Sequence, residues 1–302
     1  MISLAIQGGA MRSIYCVGAV RALVDHGLAA QVRAVHSASA GCVSSVMLSA
    51  HLADPQGRGI ATMRDLFLDR LAGRRFINPL RLWNIVDVRF LVDTMREVTG
   101  LSVRSLAELG ILFEVGMTDA RTGAPRYVDV AQGTDDAFYK ALRATMALPV
   151  LYSERVKFGG RRYLDGGISD PLPLLRALRD NARLIVAISS VASSHLGIEL
   201  EGRFEPQVVR FSPWALSNAI RHLLLTRNPL GAASEALSEC PRVGGARILR
   251  IAPADQSTVG SRLETRADRL RTLERLGYED GCRALEQLTP DDIPLSCDRL
   301  TA

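Results

Sequence analysis

A serine between a strand-like and a helix-like segment is the first residue of this sequence whose position suggests chemistry. Apolar residues predict a short strand over Val32–Val35 and a buried helix over Cys42–Ala50. The hexapeptide H-S-A-S-A-G joins them at residues 36–41. A serine at such a sharp turn is exposed beside a helix N-terminus, where it can act as a nucleophile. The pattern is S-x-S-x-G, with Ser37 in place of a glycine, so the assignment of Ser39 depends on other motifs.

A glycine-rich turn, G-G-A-M-R at residues 8–12, follows the first predicted strand. That strand is expected over Ser3–Ile6, and a helical pattern begins at Ile14 and ends at Gly27. Backbone N–H groups in such a turn can converge on a phosphate or an oxyanion at the helix N-terminus. The turn lacks the G-K-[ST] ending of a P-loop. An ordinary tight connection has the same pattern, so both interpretations stay open at this point.

A third motif, D-G-G at residues 165–167, follows a predicted hairpin. The two strands of the hairpin, 156–158 and 162–164, flank a Gly-Gly turn signal. Glycines after Asp165 permit a tight turn that leaves the carboxylate at the end of the strand. An ordinary Asp-Gly turn is the plain alternative. Together the three motifs supply the parts that nucleophilic acyl transfer needs, namely donors for an oxyanion, a nucleophile and a base.

These motifs, in this order, resemble those of the patatin-like phospholipase family, and its bacterial branch in particular. Residues 8–13, G-G-A-M-R-S, are similar to the G-G-G-x-[RK]-G loop of the family. Residues 37–41 are similar to its G-x-S-x-G elbow, and residues 165–167 to its D-G-[GA] motif. The segments A-T-M-A-L-P at 144–149 and Y-L-D-G-G-I-S-D-P-L-P at 163–173 also resemble the family. The resemblance extends from residue 1 to about residue 190.

The resemblance implies a Ser-Asp dyad, in which Ser39 attacks an ester carbonyl and Asp165 takes the serine proton directly. An unperturbed aspartate, with a pKa of about 3.9, is a weak base, so burial has to raise its pKa or the oxyanion donors have to carry most of the catalysis. The implied oxyanion loop contains Gly8, Gly9, Ala10 and Arg12. The implied supports of the elbow and of the aspartate turn are Ser37, Gly41, Gly166 and Gly167. No metal or cofactor is expected.

Three positions depart from the pattern of the family. Ala10 and Ser13 in the loop and Ser37 in the elbow stand where the family has glycine. Alanine and serine are the smallest replacements, so we expect the turns to form with some strain. The sequence therefore predicts a serine acyl-ester hydrolase acting on phospholipids, lysophospholipids or other lipid esters. The alternative is a non-catalytic lipid-binding or regulatory relative of the same fold.

A histidine-dependent esterase is a third interpretation, because His195 and His222 follow Asp165 in the order Ser…Asp…His. His195 lies in a serine-rich segment and His222 beside an arginine on a predicted helix, so both are expected to be exposed. A single predicted strand precedes the elbow, whereas α/β-hydrolases have several. His36 is expected to pack beneath the elbow, and Asp170, between prolines, to cap or end a turn.

Two consecutive strand–turn–helix units predict an α/β fold with a parallel-rich central sheet flanked by helices, in three layers. We expect residues 1–302 to form one patatin-like domain with a helical insertion at about 54–110 and a helical C-terminal extension at about 212–302. In the insertion, Trp83, Phe90 and Leu91 either wall an acyl-chain pocket or fill the core. A strand is predicted over 247–251 and a long amphipathic helix over 261–288.

Composition narrows the cellular setting. The chain has 302 residues and a formal net charge of +5, without the basic and aromatic stripe typical of a nucleic-acid surface. No apolar run has membrane-spanning length, no signal peptide is evident, and the five cysteines lack metal-ligand spacing. A cytoplasmic protein is expected. Peripheral contact with the inner membrane, through the basic helix at 261–288, is the alternative that stays open. The acidic residues of that helix favour a solvated face.

Overall fold

The part of the chain that the structure describes contains one nine-stranded sheet, most of whose long strands are parallel. The structure is a computed structural model, and it describes residues 1–54, 56, 59–81, 84–149, 151–152, 154, 156–192, 217–225 and 228–293. The strands are β1 Ile2–Ile6, β2 Val32–Ala38, β3 Leu112–Asp119, β4 Pro125–Asp129, β5 Val156–Phe158, β6 Arg161–Asp165, β7 Leu184–Ile188, β8 Arg242–Val243 and β9 Ala246–Ile251.

The strand order is β5-β6-β3-β2-β1-β7-β9-β8, with β4 paired to β3 outside this path. Strands β3, β2, β1, β7 and β9 pair in parallel, as the repeated strand–turn–helix units predict. The hairpins β3–β4, β5–β6 and β8–β9 are antiparallel. The α/β prediction and the predicted Gly-Gly hairpin are therefore confirmed.

Helices cover both faces of the sheet. They are α1 Ser13–Asp25, α2 Gly41–Ala53, α3 Gly59–Asp65, α4 Val88–Thr99, α5 Val103–Leu109, α6 Asp135–Thr145, α7 Leu174–Ala177, α8 Asn218–Leu225, α9 Pro229–Ser238 and α10 Ala267–Leu285. The larger core joins α1, α2 and α10 to one face of β1, through residues such as Ile6 and Leu270. The smaller core joins α7 to the other face, through residues such as Ala5 and Leu174. Alternating side chains of β1 thus enter two different cores, as in a three-layer sandwich.

The segment between α2 and β3, where the sequence predicts a helical insertion, carries α3, α4 and α5. Further helical turns lie at Leu66–Arg70 and Pro79–Arg81. Apolar side chains of this segment, among them Phe67 and Leu91, belong to the same core as β1 and α1. The division of the chain into a domain, an insertion and an extension stays a prediction.

The long C-terminal helix begins six residues later than its predicted start at residue 261. Helix α10 begins at Ala267, because the Glu264 carboxylate accepts the backbone N–H groups of Thr265 and Arg266 and holds a turn there. Its inner face packs against α1 so closely that a Cβ at Gly277 would lie 2.0 Å from the Tyr15 carbonyl oxygen. Apolar residues of this face, such as Leu270 and Leu273, are part of the core, and contact of the helix with a membrane stays a prediction. Among the described helices, none is both long and apolar enough to cross a membrane.

Candidate active site

The turn between β2 and α2 holds Ser39 in a left-handed backbone conformation. Its φ is +52°, a region that costs about 1–2 kcal/mol for a residue with a side chain. The Ser39 N–H donates to Thr145 Oγ1 at 2.9 Å, and Thr145 Oγ1 donates to the carbonyl oxygen of Gly116. Thr145, the last residue of α6, thereby holds the strained turn against β3. Thr145 lies in the A-T-M-A-L-P segment, but no sequence pattern assigned it a role.

Sheet register brings the aspartate to the serine. Strand β3 pairs with β4 along one edge, and both β2 and β6 pair with its other edge, one after the other. Ala38 at the end of β2 is opposite Gly116, and Asp165 at the end of β6 is opposite Met117. The ends of these two strands therefore meet at neighbouring residues of β3, although 126 positions separate Ser39 from Asp165.

Ser39 and Asp165 are in direct contact. Ser39 Oγ donates a hydrogen bond to Asp165 Oδ2 at 2.6 Å. The other carboxylate oxygen accepts the Gly167 N–H at 2.8 Å, and Thr118 Oγ1 donates to the Asp165 carbonyl oxygen at 2.7 Å. Gly166, Gly167 and Ile168 form a short 3₁₀ turn directly after β6. The Asp-Gly-Gly turn thus fixes the carboxylate so that one oxygen faces the serine hydroxyl.

Burial changes the basicity of Asp165, which is only 4% exposed. Loss of solvation raises the pKa of Asp165 to about 6, although the hydrogen bonds from Ser39 and Gly167 and the charge of Arg262 oppose the rise. A carboxylate with this pKa is a stronger base than an exposed aspartate and is still largely ionised at pH 7. The weak-base difficulty that the sequence raises thus has a physical answer in this site.

The glycine-rich loop lies directly against the elbow. A Cβ at Gly8 would lie 2.4 Å from Ser39 Cβ, and one at Gly41, the first residue of α2, would lie 2.6 Å from the Gln7 carbonyl oxygen. Any side chain at either position would push the loop and the elbow apart. Ser37, by contrast, is buried within β2, where the strand accommodates its hydroxymethyl group.

The loop has backbone donors close to the serine. The N–H groups of Met11 and Arg12 donate to the carbonyl oxygens of Arg262 and Gly9. Within the described residues, the N–H groups of Gly8 and Gly9 have no backbone acceptor of this kind. Ala10 has a φ of +51°, so the position where the family has its third glycine requires the conformation that glycine adopts most easily. The backbone of Ala10 is therefore strained, as the replacement of a glycine by alanine predicts.

Arg12 is predicted to lie beside the oxyanion hole, and this stays a prediction. Its Nε donates to the Gly260 carbonyl oxygen at 2.9 Å, its side chain is almost fully buried, and it does not line the cavity that contains Ser39. The guanidinium therefore ties the loop to the chain before α10. Gly260 is 248 residues away along the chain, so the sequence pattern of the loop contained no sign of this contact.

The dyad opens into a cavity of about 240 Å³ with mostly apolar walls. Gly8, Gly9, Ala10, Ser39, Asp165 and Gly167 line its polar end. Its apolar wall includes Val43, Phe67, Leu71, Phe76, Val86, Val88, Leu91, Met146, Leu148, Leu151, Ile168 and Val191. Leu91 thus lines the cavity, whereas Phe90 is partly buried against the core and does not line it. Trp83 lies outside the described residues.

The other predicted candidates lie elsewhere. His36 is buried between Glu114 and Asp180, with ring-nitrogen distances of 3.0 and 2.7 Å to their carboxylate oxygens. Asp170 is buried and accepts a hydrogen bond from the Tyr127 hydroxyl. His222 is exposed, and neither it nor His36 lines the cavity. His195 lies outside the described residues. The described cysteines Cys16, Cys42, Cys240 and Cys282 are free thiols, and Cys297 also lies outside that part of the chain.

Comparisons with known proteins show what this chain is similar to. The profile of the family described as patatin-like phospholipase matches residues 4–178. The Escherichia coli protein YjjU, described as uncharacterized, is 28% identical over 198 residues, which cover 64% of this chain and 52% of YjjU. The NTE family protein Rv1063c of Mycobacterium tuberculosis is 26% identical over 62% of this chain and 48% of its own length.

A structural comparison gives VipD from Legionella pneumophila, with a TM-score of 0.47 and 12% identity over 94% of this chain and 66% of VipD. The chain spans about half the length of the curated relatives it matches. The family profile covers more than half of this chain, including the glycine-rich loop, the serine elbow and the Asp-Gly-Gly turn. The chain belongs to the patatin-like phospholipase family.

Proposed function

We propose that this protein is a serine acyl-ester hydrolase acting on phospholipids, lysophospholipids or other lipid esters. Ser39 is the nucleophile, Asp165 is the base, and the turn of Gly8, Gly9 and Ala10 supplies the oxyanion donors. The observation that carries the proposal is the hydrogen bond of 2.6 Å between Ser39 Oγ and Asp165 Oδ2 at the polar end of an apolar cavity. In this proposal the serine proton passes directly to Asp165, without a histidine between the two residues.

The chemistry follows from this contact. Ser39 Oγ attacks the ester carbonyl carbon while its proton moves along the hydrogen bond to Asp165 Oδ2. The carbonyl oxygen becomes an oxyanion, which the N–H groups of the glycine-rich turn stabilise. When the tetrahedral intermediate collapses, the alcohol leaves with the proton from Asp165, and the acyl group stays on Ser39. Water then attacks the acyl carbon and gives a proton to Asp165. The bond between the acyl carbon and Ser39 Oγ breaks, Ser39 Oγ takes that proton back from Asp165, and the carboxylic acid leaves.

The cavity supports the substrate class. Its wall is formed by aliphatic and aromatic side chains, so a fatty acyl chain would replace water against apolar surface at a gain of roughly 25 cal/mol per Å². A water-soluble ester without such a chain would gain nothing from this wall. Membership of the family points to the same class of lipid ester.

Turnover of p-nitrophenyl acyl esters and of phospholipids tests the proposal. We expect hydrolysis by the wild-type protein and loss of at least about 10³-fold in kcat/KM in Ser39→Ala. Ser44→Ala is the matched control, because Ser44 is a buried serine of α2 that does not line the cavity. His195→Ala and His222→Ala separate the dyad from a histidine-dependent esterase, and both are expected to keep full turnover.

Three results would overturn the proposal. These are the absence of turnover with every chain length, retained turnover in Ser39→Ala, and loss of turnover in His195→Ala or His222→Ala. If lipid binds to the wild-type protein without hydrolysis, the non-catalytic lipid-binding relative is the correct interpretation.

A further inference from the structure

An arginine from outside the region of the family profile lines the cavity of the dyad. Arg262 lies in the turn before α10, whereas the profile ends at residue 178. It is the one cationic side chain among the described residues of the cavity wall. None of the three sequence motifs contains it, and no periodic pattern singles it out.

The backbone around Arg262 is held on both sides. Its carbonyl oxygen accepts the N–H of Met11, within the glycine-rich turn, at 3.1 Å. The side chain of Arg12 donates to the carbonyl oxygen of Gly260, and the N–H of Gly73 donates to the carbonyl oxygen of Thr265 at 2.9 Å. The segment thus connects the oxyanion loop to the helical segment that supplies Leu71 and Phe76 to the cavity. The backbone of Arg262 is therefore held beside the glycine-rich turn.

The charge of Arg262 reaches the dyad. Its guanidinium lowers the pKa of Asp165, against the larger effect of burial. A guanidinium has five N–H donors, so it can keep contacts within the protein and still bind an anion with the rest. An anionic group bound there would lie close to the ester carbonyl that Ser39 attacks. In acyl esters of glycerol phosphate, the phosphate is only a few covalent bonds from that carbonyl.

We propose that Arg262 binds the headgroup phosphate of the substrate, so that the site prefers acyl esters of glycerol phosphate to neutral acyl esters with the same chain. This inference rests on the proposed hydrolase function and names its substrate class. The apolar wall binds the acyl chain and does not distinguish the two kinds of ester, whereas Arg262, the one cation among the described lining residues, does. Binding of the phosphate also offsets the positive charge near Asp165, which makes that carboxylate a stronger base when the correct substrate is present.

The test compares 1-acylglycerol 3-phosphate with 1-acylglycerol of the same chain length, below their aggregation concentrations. The wild-type protein is expected to have the higher kcat/KM for the phosphate ester. In Arg262→Gln the ratio of the two kcat/KM values is expected to fall about tenfold to a hundredfold, since a charge-assisted hydrogen-bond pair is lost. Arg262→Lys should keep part of the ratio. Arg271→Gln removes the same charge from the exposed side of α10 and should leave the ratio unchanged.

Two outcomes of this comparison would overturn the inference. One is a wild-type ratio near one. The other is an equal loss for both esters in Arg262→Gln, which would place the arginine at the oxyanion instead of the headgroup.

Binding to Ser39→Ala, measured by calorimetry, separates this inference from the hydrolase proposal. A preference for the phosphate ester that disappears in the Ser39→Ala, Arg262→Gln double variant supports headgroup recognition even if the wild-type protein hydrolyses nothing. Equal binding of both esters by Ser39→Ala overturns it even if hydrolysis is fast. sn-Glycerol 3-phosphate has the headgroup without the chain and should bind far more weakly. If it binds as tightly as the lysolipid, the site is one for free phosphate compounds.

Discussion

Two buried polar centres lie near strand β2, and their carboxylates have opposite properties. The dyad consists of Ser39 and Asp165. The other centre, the ionic cluster, consists of His36, Glu114, Arg176 and Asp180. Burial raises the pKa of Asp165 to about 6, whereas Glu114, despite its burial, has a pKa lowered to about 2 by hydrogen bonds from Arg176 and His36. The partners of a buried carboxylate, more than its burial, decide whether it can accept a proton near neutral pH.

The two centres differ in the partners of their carboxylates. In the ionic cluster, Arg176 grips both carboxylate oxygens of Glu114 at 2.6 and 2.7 Å, and His36 lies between Glu114 and Asp180. The charged groups of the ionic cluster are paired with one another. The cluster joins β2 to β3 and to the chain after α7. The dyad has a carboxylate with no cation in hydrogen-bond contact among the described residues. It faces a hydroxyl and a cavity, which suits proton transfer.

The largest expected effect comes from neutralising Asp165. We expect Asp165→Asn to fold normally and to lose at least about 10³-fold in kcat/KM, because an amide cannot accept the Ser39 proton. Asp170→Asn is the matched control. Burial raises the pKa of Asp170 to about 7, but its partner is Tyr127 and it does not line the cavity. Ester hydrolysis and thermal unfolding of both variants check the prediction, and similar losses of turnover in both would contradict it.

The ionic cluster should control stability instead of turnover. His36→Gln leaves Glu114 and Asp180 without the imidazolium between them, and we expect it to lower the free energy of unfolding by about 3 kcal/mol. The protein that remains folded should still react at Ser39. Denaturant titration measures the effect, and His26→Gln, at an exposed histidine, is the control that should change little.

The effect of His36 depends on pH. Burial alone would lower the pKa of His36, but the hydrogen bonds that its ring donates to Asp180 and Glu114 raise that pKa above the usual value. The stability that His36 contributes is therefore complete below about pH 6.5, the ordinary histidine pKa, and is lost as pH rises through the higher folded-state pKa. The difference in unfolding free energy between wild type and His36→Gln should shrink above that pH. A difference that grows with pH would rule out the charged histidine.

Turnover should have an acid limb set by Asp165. Below pH 6 the carboxylate is protonated and cannot take the serine proton, so kcat/KM should fall about tenfold per pH unit. In Arg262→Gln the limb should move to higher pH, because the guanidinium lowers the pKa of Asp165. The pH profile for a neutral ester measures both. An acid limb near pH 4, or one that does not move in Arg262→Gln, would show that the titration of Asp165 does not control kcat/KM.

The smallest effect is expected at the departure from the family pattern in the oxyanion loop. Ala10→Gly relieves a residue at a φ of +51° and should stabilise the protein by about 1 kcal/mol or less. Ala40→Gly is the control, because Ala40 has a φ of −65° and gains nothing from glycine. Thermal unfolding measures both. Destabilisation by Ala10→Gly would show that this alanine fits its conformation without strain.

The sequence was sufficient for the local parts of this account, since apolar periodicity predicts β1, β2, β7 and α2 within a few residues. Contacts between distant residues were beyond it. The pairing of β6 with β3 that places Asp165 beside Ser39 depends on strand register, which no local pattern encodes. For the same reason, no sequence motif indicated the contact of Arg12 with Gly260 or a role for Thr145 or Arg262. The residues that they contact lie far away along the chain.

A fluorophosphonate probe tests the reactivity of the dyad most directly, because it reacts only with an activated serine. Intact mass followed by peptide mapping would give the number and position of adducts. We expect one adduct, on Ser39. It should be absent in Ser39→Ala, form much more slowly in Asp165→Asn, and form normally in His36→Gln at temperatures where that variant is folded. No adduct on the folded wild-type protein, or an adduct on another residue, would contradict the proposed dyad.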